Sequence, residues 1–180
     1  MKKRFIATIL FTVISVATFT GCGSADTKEI IEVKNGFLDI SVEEFETDFN
    51  AQLDSEYIKA QLQKGAADDK YSYYFCNLEK GIQLSLLATP DETMIYTADL
   101  SCDALAEDDA ASNLGYYYAK LMYTVAPDIT SDEIKNISNE LDMSLPTPGT
   151  NNVTMRNNLI YSLNVEDDLT IHLSVVAHKQ

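Results

Sequence analysis

The sequence predicts an α+β fold: a mainly antiparallel sheet, made of a three-stranded meander and a C-terminal hairpin, with helices packed on one face. Three observations predict it. Several stretches alternate apolar and polar residues with a period of two, as half-buried strands do. Two others open with a Ser/Thr-x-x-Glu capping box and continue at helical spacing. The elements also come in runs of one helix, three strands, two helices and two strands, not in the strict alternation of a parallel α/β sheet.

Each element has its own local reason. Glu29 to Val33 and Phe37 to Ile40 flank Lys34-Asn35-Gly36, and Asn-Gly between apolar runs marks a two-residue turn, so a short hairpin is expected. Ser41-Val42-Glu43-Glu44 is a capping box, and Val42, Phe45, Phe49 and Leu53 follow at helical spacing. A helix over about 42–54 follows, resuming through Tyr57, Ile58 and Leu62. Residues 65–70 read as a polar break. Three strands come next, over 70–78, 81–88 and 93–102, joined by the turn-like Glu79-Lys80-Gly81 and Pro90-Asp91-Glu92. Ile82, Leu84, Leu86 and Ala88 share one face of the second strand, and Met94, Tyr96, Ala98, Leu100 and Cys102 one face of the third.

Leu114, Tyr117, Tyr118, Leu121, Met122 and Val125 define the next helix, which Pro127 closes and which the acids Glu107, Asp108 and Asp109 precede. Thr130-Ser131-Asp132-Glu133 opens another through Ile134, Ile137 and Leu141, and 145–152 is a breaker-rich loop. In the closing hairpin, Val153, Met155, Leu159, Tyr161, Leu163 and Val165 share one parity. Leu169, Ile171, Leu173, Val175 and Ala177 share another, across the turn at 166–168.

The N-terminus reads differently. Met1-Lys2-Lys3-Arg4 is basic, residues 5–19 are uncharged and mostly apolar, and the small Thr20-Gly21 precede Cys22. That is the layout of a secretory signal. As a helix the middle zone rises about 23 Å, short of the roughly 30 Å hydrocarbon core it would have to span. Phe19-Thr20-Gly21-Cys22 resembles the lipobox of bacterial lipoproteins, although Phe19 stands where that family usually has leucine. The resemblance covers about the first 22 residues and implies cleavage before Cys22, diacylglycerol on its sulfur, and a position at the outer face of a bacterial cell membrane. Residues 1–21 are then a signal peptide, 22–28 the lipidated cysteine and a small polar tether, and 29–180 a single α+β domain. An uncleaved signal anchor, or ordinary cleavage leaving a free thiol, are the alternatives.

Removing Met1–Gly21 takes Lys2, Lys3 and Arg4 from the 13 cations and none of the 28 acids, leaving 10 against 28, or −18. With the remaining cations scattered singly there is no basic patch for phosphates, so nucleic acid is not an expected partner. Lipidation of Cys22 leaves Cys76 and Cys102, which could form a disulfide or lie as two buried thiols.

No phosphate loop, nucleophile elbow, His-Glu-x-x-His or Cys-x-x-Cys is present, so no catalytic residue, metal site or cofactor can be assigned. His172 and His178, on the polar parity of the last strand, are about 20 Å apart if it is extended, too far to share a metal. The acidic groups at 68–69, 91–92, 107–109 and 166–168 fall at turns or a helix start and lack the spacing of a calcium loop. Tyrosine is the suggestive residue. Tyr71, Tyr73, Tyr74 and Phe75 crowd one strand and Tyr116, Tyr117 and Tyr118 one helix, so some rings must point away from the core. Exposed tyrosine suits recognition, and Tyr71 and Tyr116 are the candidates for a binding face. The expectation is a non-enzymatic, membrane-anchored domain that binds a protein, peptide or small ligand. Two alternatives remain open: an inhibitor that captures a cationic secreted enzyme, and a hydrolase whose base is His172 or His178.

Overall fold

The computed structural model describes residues 31–79, 81–103, 110–144 and 146–179. The signal peptide, Cys22, the tether and the acids at 107–109 lie outside the described residues. Twelve elements follow in order: β1 (Val33–Lys34), β2 (Phe37–Leu38), α1 (Val42–Gln52), β3 (Gln63–Ala67), β4 (Ser72–Glu79), β5 (Ile82–Ala88), β6 (Ile95–Asp103), α2 (Ala110–Val125), α3 (Ser131–Glu140), β7 (Asn151–Arg156), β8 (Leu159–Val165) and β9 (Thr170–Ala177). The main path of the sheet runs β3-β4-β5-β6-β9-β8-β7, and every pairing is antiparallel. The order mirrors a run of four strands against a run of three. Each half starts from a helical segment and lays down a meander from the edge inward, and the two last strands, β6 and β9, meet at the centre.

Local chemistry sets the helix starts. Ser41 Oγ accepts from the Glu44 amide at 3.2 Å while the Glu44 carboxylate accepts from the Ser41 amide at 3.0 Å. Thr130 and Glu133 repeat the arrangement at α3. Those hydrogen bonds hold both glutamates below the usual carboxylate range. The helix expected over 42–54 stops at Gln52, because Leu53 is extended and the chain runs irregularly to β3. Phe45, Phe49, Tyr117, Tyr118, Leu121 and Met122 are fully buried against the inward parity of the strands, Leu84, Leu86, Leu100, Tyr161, Leu163, Leu173 and Val175 among them. All three described helices cover that one face, and among the described residues no helix covers the other.

Four expectations need correction. β3 runs into the polar break, its last three residues lying within it; it is an edge strand with every residue exposed, whose pairing with β4 rather than any apolar pattern makes it extended. The C-terminal hairpin is three strands, because Asn157 and Asn158, at φ 49° and 63°, form a left-handed two-residue turn. That turn reverses the chain, so Val153 and Met155 point outward, 60% and 54% exposed, while Leu159 of the same parity points in. In β6 the register slips between Leu87 and Ala88, leaving Tyr96 as an extra residue, so Ile95 faces the core and Met94 and Tyr96 do not.

The fourth concerns the cysteines. Both are buried and free, Cys76 opposite Leu84 and Cys102 opposite Ile82, so the whole of β5 lies between them. Two strand spacings across and two residues along put the Cα atoms about 12 Å apart, well beyond the roughly 7 Å a disulfide tolerates. Burial pushes the Cys102 thiol up to about 11 and raises that of Cys76, so neither is a ready nucleophile. Protein purified from its native host and unfolded without reductant is expected to give two alkylatable thiols at Cys76 and Cys102. A Cys76–Cys102 linked peptide on mass spectrometry would contradict the strand order.

Candidate functional face

The register turns the open face into three rows that cross six strands at right angles. Tyr73, Leu87, Thr97, Val176, Ile160 and Met155 are successive cross-strand neighbours and form an apolar row. Two residues along each strand lies a second row, Phe75, Ser85, Asp99, Ser174, Ser162 and Val153. A third follows: Asn77, Gln83, Ser101, His172, Asn164 and Asn151. The face is therefore graded from apolar to amide and hydroxyl, and with five strand spacings of about 4.8 Å it is about 24 Å wide.

Aromatic rings extend the apolar end. Tyr96, displaced by the bulge, lies 5.7 Å from Phe37 and 5.9 Å from Tyr71, centroid to centroid. Tyr73 and Phe75 lie 5.8 Å apart with planes 25° from parallel, and they lean over Gly65 of β3. A Cβ at Gly65 would meet Tyr73 Cδ1 at 2.9 Å and Phe75 Cε1 at 3.1 Å, so the glycine lets both rings settle toward the sheet. Tyr71 thus lies at the aromatic end of the open face.

Tyr116 does not join it. It lies on α2, on the helix side of the sheet, stacked on Tyr57 at 3.7 Å with Lys120 Nζ 4.9 Å from its ring centroid. Its hydroxyl donates to Asp54 Oδ2 at 2.9 Å and accepts from the Asp54 amide at 2.8 Å. Burial and the Asp54 carboxylate raise its pKa. Its contacts fasten the irregular segment after α1 to α2.

The centre of the face holds a polar cluster. Ser174 Oγ donates to Asp99 Oδ1 at 2.5 Å, His172 Nδ1 lies 3.4 Å from Asp99 Oδ2, and His172 Nε2 lies 3.5 Å from Glu166 Oε1. Serine, histidine and aspartate meet here in the wrong order for hydrolysis. The serine proton goes to the carboxylate instead of the imidazole, so no base draws on the hydroxyl. The cluster also sits on an open surface. A small pocket between α2 and β8–β9, lined by Leu114, Gly115, Met143, Pro146, Leu163, Ile171 and Leu173, carries no titratable side chain. His178 follows β9, its amide bonded to the Asn158 carbonyl at 2.8 Å.

The acidic turns are used locally. Asp68 Oδ1 accepts from the amides of Lys70 and Tyr71, Asp91 Oδ1 from Thr89 and Thr93, and Asp168 Oδ1 from the Thr170 amide. Other carboxylates are distributed over α1, α3 and the loops, while the outward positions of the open face bring Asp99, Asp103 and, beside His172, Glu166.

Sequence reasoning missed the apolar row, although a signal for it exists. Leu86-Leu87, Leu159-Ile160 and Val175-Val176 are apolar doublets that break the alternation of their strands, so one residue of each pair must face away from the core.

The fold and this face define an α+β protein with an open, graded, mostly antiparallel sheet. Protein-family models, curated proteins and solved structures were all compared with the chain, and none matches.

Proposed function

We propose that the chain is a lipid-anchored extracytoplasmic binding protein, held at the outer face of a bacterial membrane through Cys22, which takes its ligand on the open face of the sheet. The observation that carries the binding half is the apolar row from Tyr73 to Met155, on a face that no helix among the described residues covers. A sheet face needs only one side against a core, and its other side is commonly polar. Leu87, Ile160, Val176 and Met155 are aligned there across neighbouring strands, and contiguous apolar surface rimmed by polar residues marks interaction sites. The anchoring half rests on the resemblance of residues 19–22 to a lipobox. Against capture of a cationic enzyme by charge alone stands the spread of carboxylates round the molecule, and against a hydrolase the order of Ser174, Asp99 and His172.

Two experiments test the two halves. Cys22→Ala is expected to leave full-length precursor and abolish metabolic labelling by fatty acid, and labelling that persists in the variant would refute the anchor. Thiols introduced on the open face are expected to be shielded on cells and reactive in purified protein.

A further inference from the structure

We infer that the occupant of the open face is a short cationic amphipathic peptide segment, which lays its apolar side along Leu87, Val176, Ile160 and Met155 and its Lys or Arg side chains over Asp99 and Glu166. The inference rests on the binding reading above and names its ligand class.

Size argues for a peptide. The three rows, with the aromatic end at Tyr71 and Tyr96, cover about 24 Å by about 20 Å, or roughly 480 Å². A footprint of that size suits a single segment of chain, whereas two folded proteins commonly give up about 800 Å² of accessible surface each. A helix of about 16 residues spans the same 24 Å.

Charge chooses the sign. The outward positions of the rows carry no Lys or Arg, and their acidic side chain is Asp99, with Glu166 reached through His172. Asp99 takes its hydrogen bonds from Ser174 and His172, and neither supplies the fixed charge that a Lys or Arg would. The mature chain at −18 repels anionic segments and draws cationic ones toward the surface. Spacing then sets the register. Asp99 lies one row from Thr97, about 7 Å along the strand, so a segment whose apolar and cationic stripes run side by side meets both rows at once. The flattened ring pair of Tyr73 and Phe75 offers a further seat for a cation at the end of the row.

The test uses the chain from Gly23 to Gln180, which keeps the whole sheet, its helices and the core between them. The probe is a fluorescent 16-residue peptide of leucine and lysine ordered to be amphipathic as a helix, read by anisotropy. Scrambling the same composition is expected to weaken binding at least tenfold. Ile160→Thr with Val176→Thr, which keeps β-branched side chains in both strands, is expected to weaken it at least fivefold, and Asp99→Asn about fivefold. Asp48→Asn with Glu56→Gln, away from the face, is expected to change it less than twofold.

Equal binding of the scrambled peptide, or equal losses from the Asp48 and Glu56 pair, means diffuse attraction and overturns the inference. So does absence of binding, or a dimer in sedimentation that Ile160→Thr dissolves, which gives the face to a second copy. A failure of the peptide with open-face thiols still shielded on cells removes the ligand class alone. Reactive thiols on cells remove the binding reading as well.

Discussion

Replacing Tyr118 by alanine is expected to destabilise the fold by about 3–5 kcal/mol, the range for deleting a buried aromatic side chain. Tyr118 is fully buried on α2, and its hydroxyl reaches across the core to the Ser174 carbonyl at 3.3 Å on β9, the strand on which His172 and Ser174 line the opposite face. Its ring therefore joins the helix layer to the middle of the sheet. Natural domains of this size hold about 5–15 kcal/mol in all, so the loss would remove a large share of it. Urea midpoints of the wild-type and variant chains measure the effect. Tyr118→Phe keeps the ring and is expected to cost about 1 kcal/mol, the worth of one hydrogen bond. A cost below about 1 kcal/mol for alanine would mean that α2 does not pack on β9 as described.

The second large effect is with pH. Burial raises Tyr118 well above the usual phenol value of 10.0, with Tyr161 and Asp99 adding to it, and burial also raises Tyr117 and Tyr161. Cys102 is raised from 9.0 to about 11 by burial, and then by Asp103. A group whose folded pKa lies above its unfolded value contributes stability that is whole below the unfolded value and lost as pH rises through the folded one. Stability is thus expected to hold to about pH 9, decline as thiols of the unfolded chain ionise, and fall steeply above pH 10. For the fully buried Tyr118 the slope is about 1.4 kcal/mol per pH unit above pH 10. Tyr118→Phe should flatten the curve. A urea midpoint unchanged between pH 9 and 11 would show that these hydroxyls are hydrated in the folded chain.

What could be read in the chain was what neighbours within a few residues decide. The capping boxes at Ser41 and Thr130 need only a partner three residues on, and the Asn35-Gly36 turn only two left-handed residues, φ 55° and 84°. Tyr117 and Tyr118 entered the core because helical spacing put them on one face with Leu114 and Leu121. What escaped depends on strands distant in sequence. Gln63 to Ala67 carries no strand pattern and is extended because β4 offers it a ladder. Alternation turned Cys76 and Cys102 to the same face, yet only the strand order reveals that β5 separates them.

The candidate face was half legible for the same reason. Tyr71 could be picked from a crowd of aromatics. The graded rows require knowing that β9 lies between β6 and β8, which brings Val176 beside Thr97, 79 positions earlier in the chain. Tyr116 failed to join Tyr71 because three successive helical tyrosines need not all seek core or solvent: this one found Asp54 and Tyr57 instead.

Shielding of the open face on living cells tests the binding claim most directly. Ser85→Cys, Ser162→Cys and, on the exposed side of α1, Thr47→Cys give three probe sites, and native Cys76 and Cys102 stay silent to maleimide in the folded chain because they are buried. Labelling rates are compared between the anchored protein on intact cells of its host and the purified protein. Ser85→Cys and Ser162→Cys are expected to react at least tenfold more slowly on cells, while Thr47→Cys reacts at the same rate in both. Equal rates at all three sites would show the open face empty where the protein works, and would contradict the account.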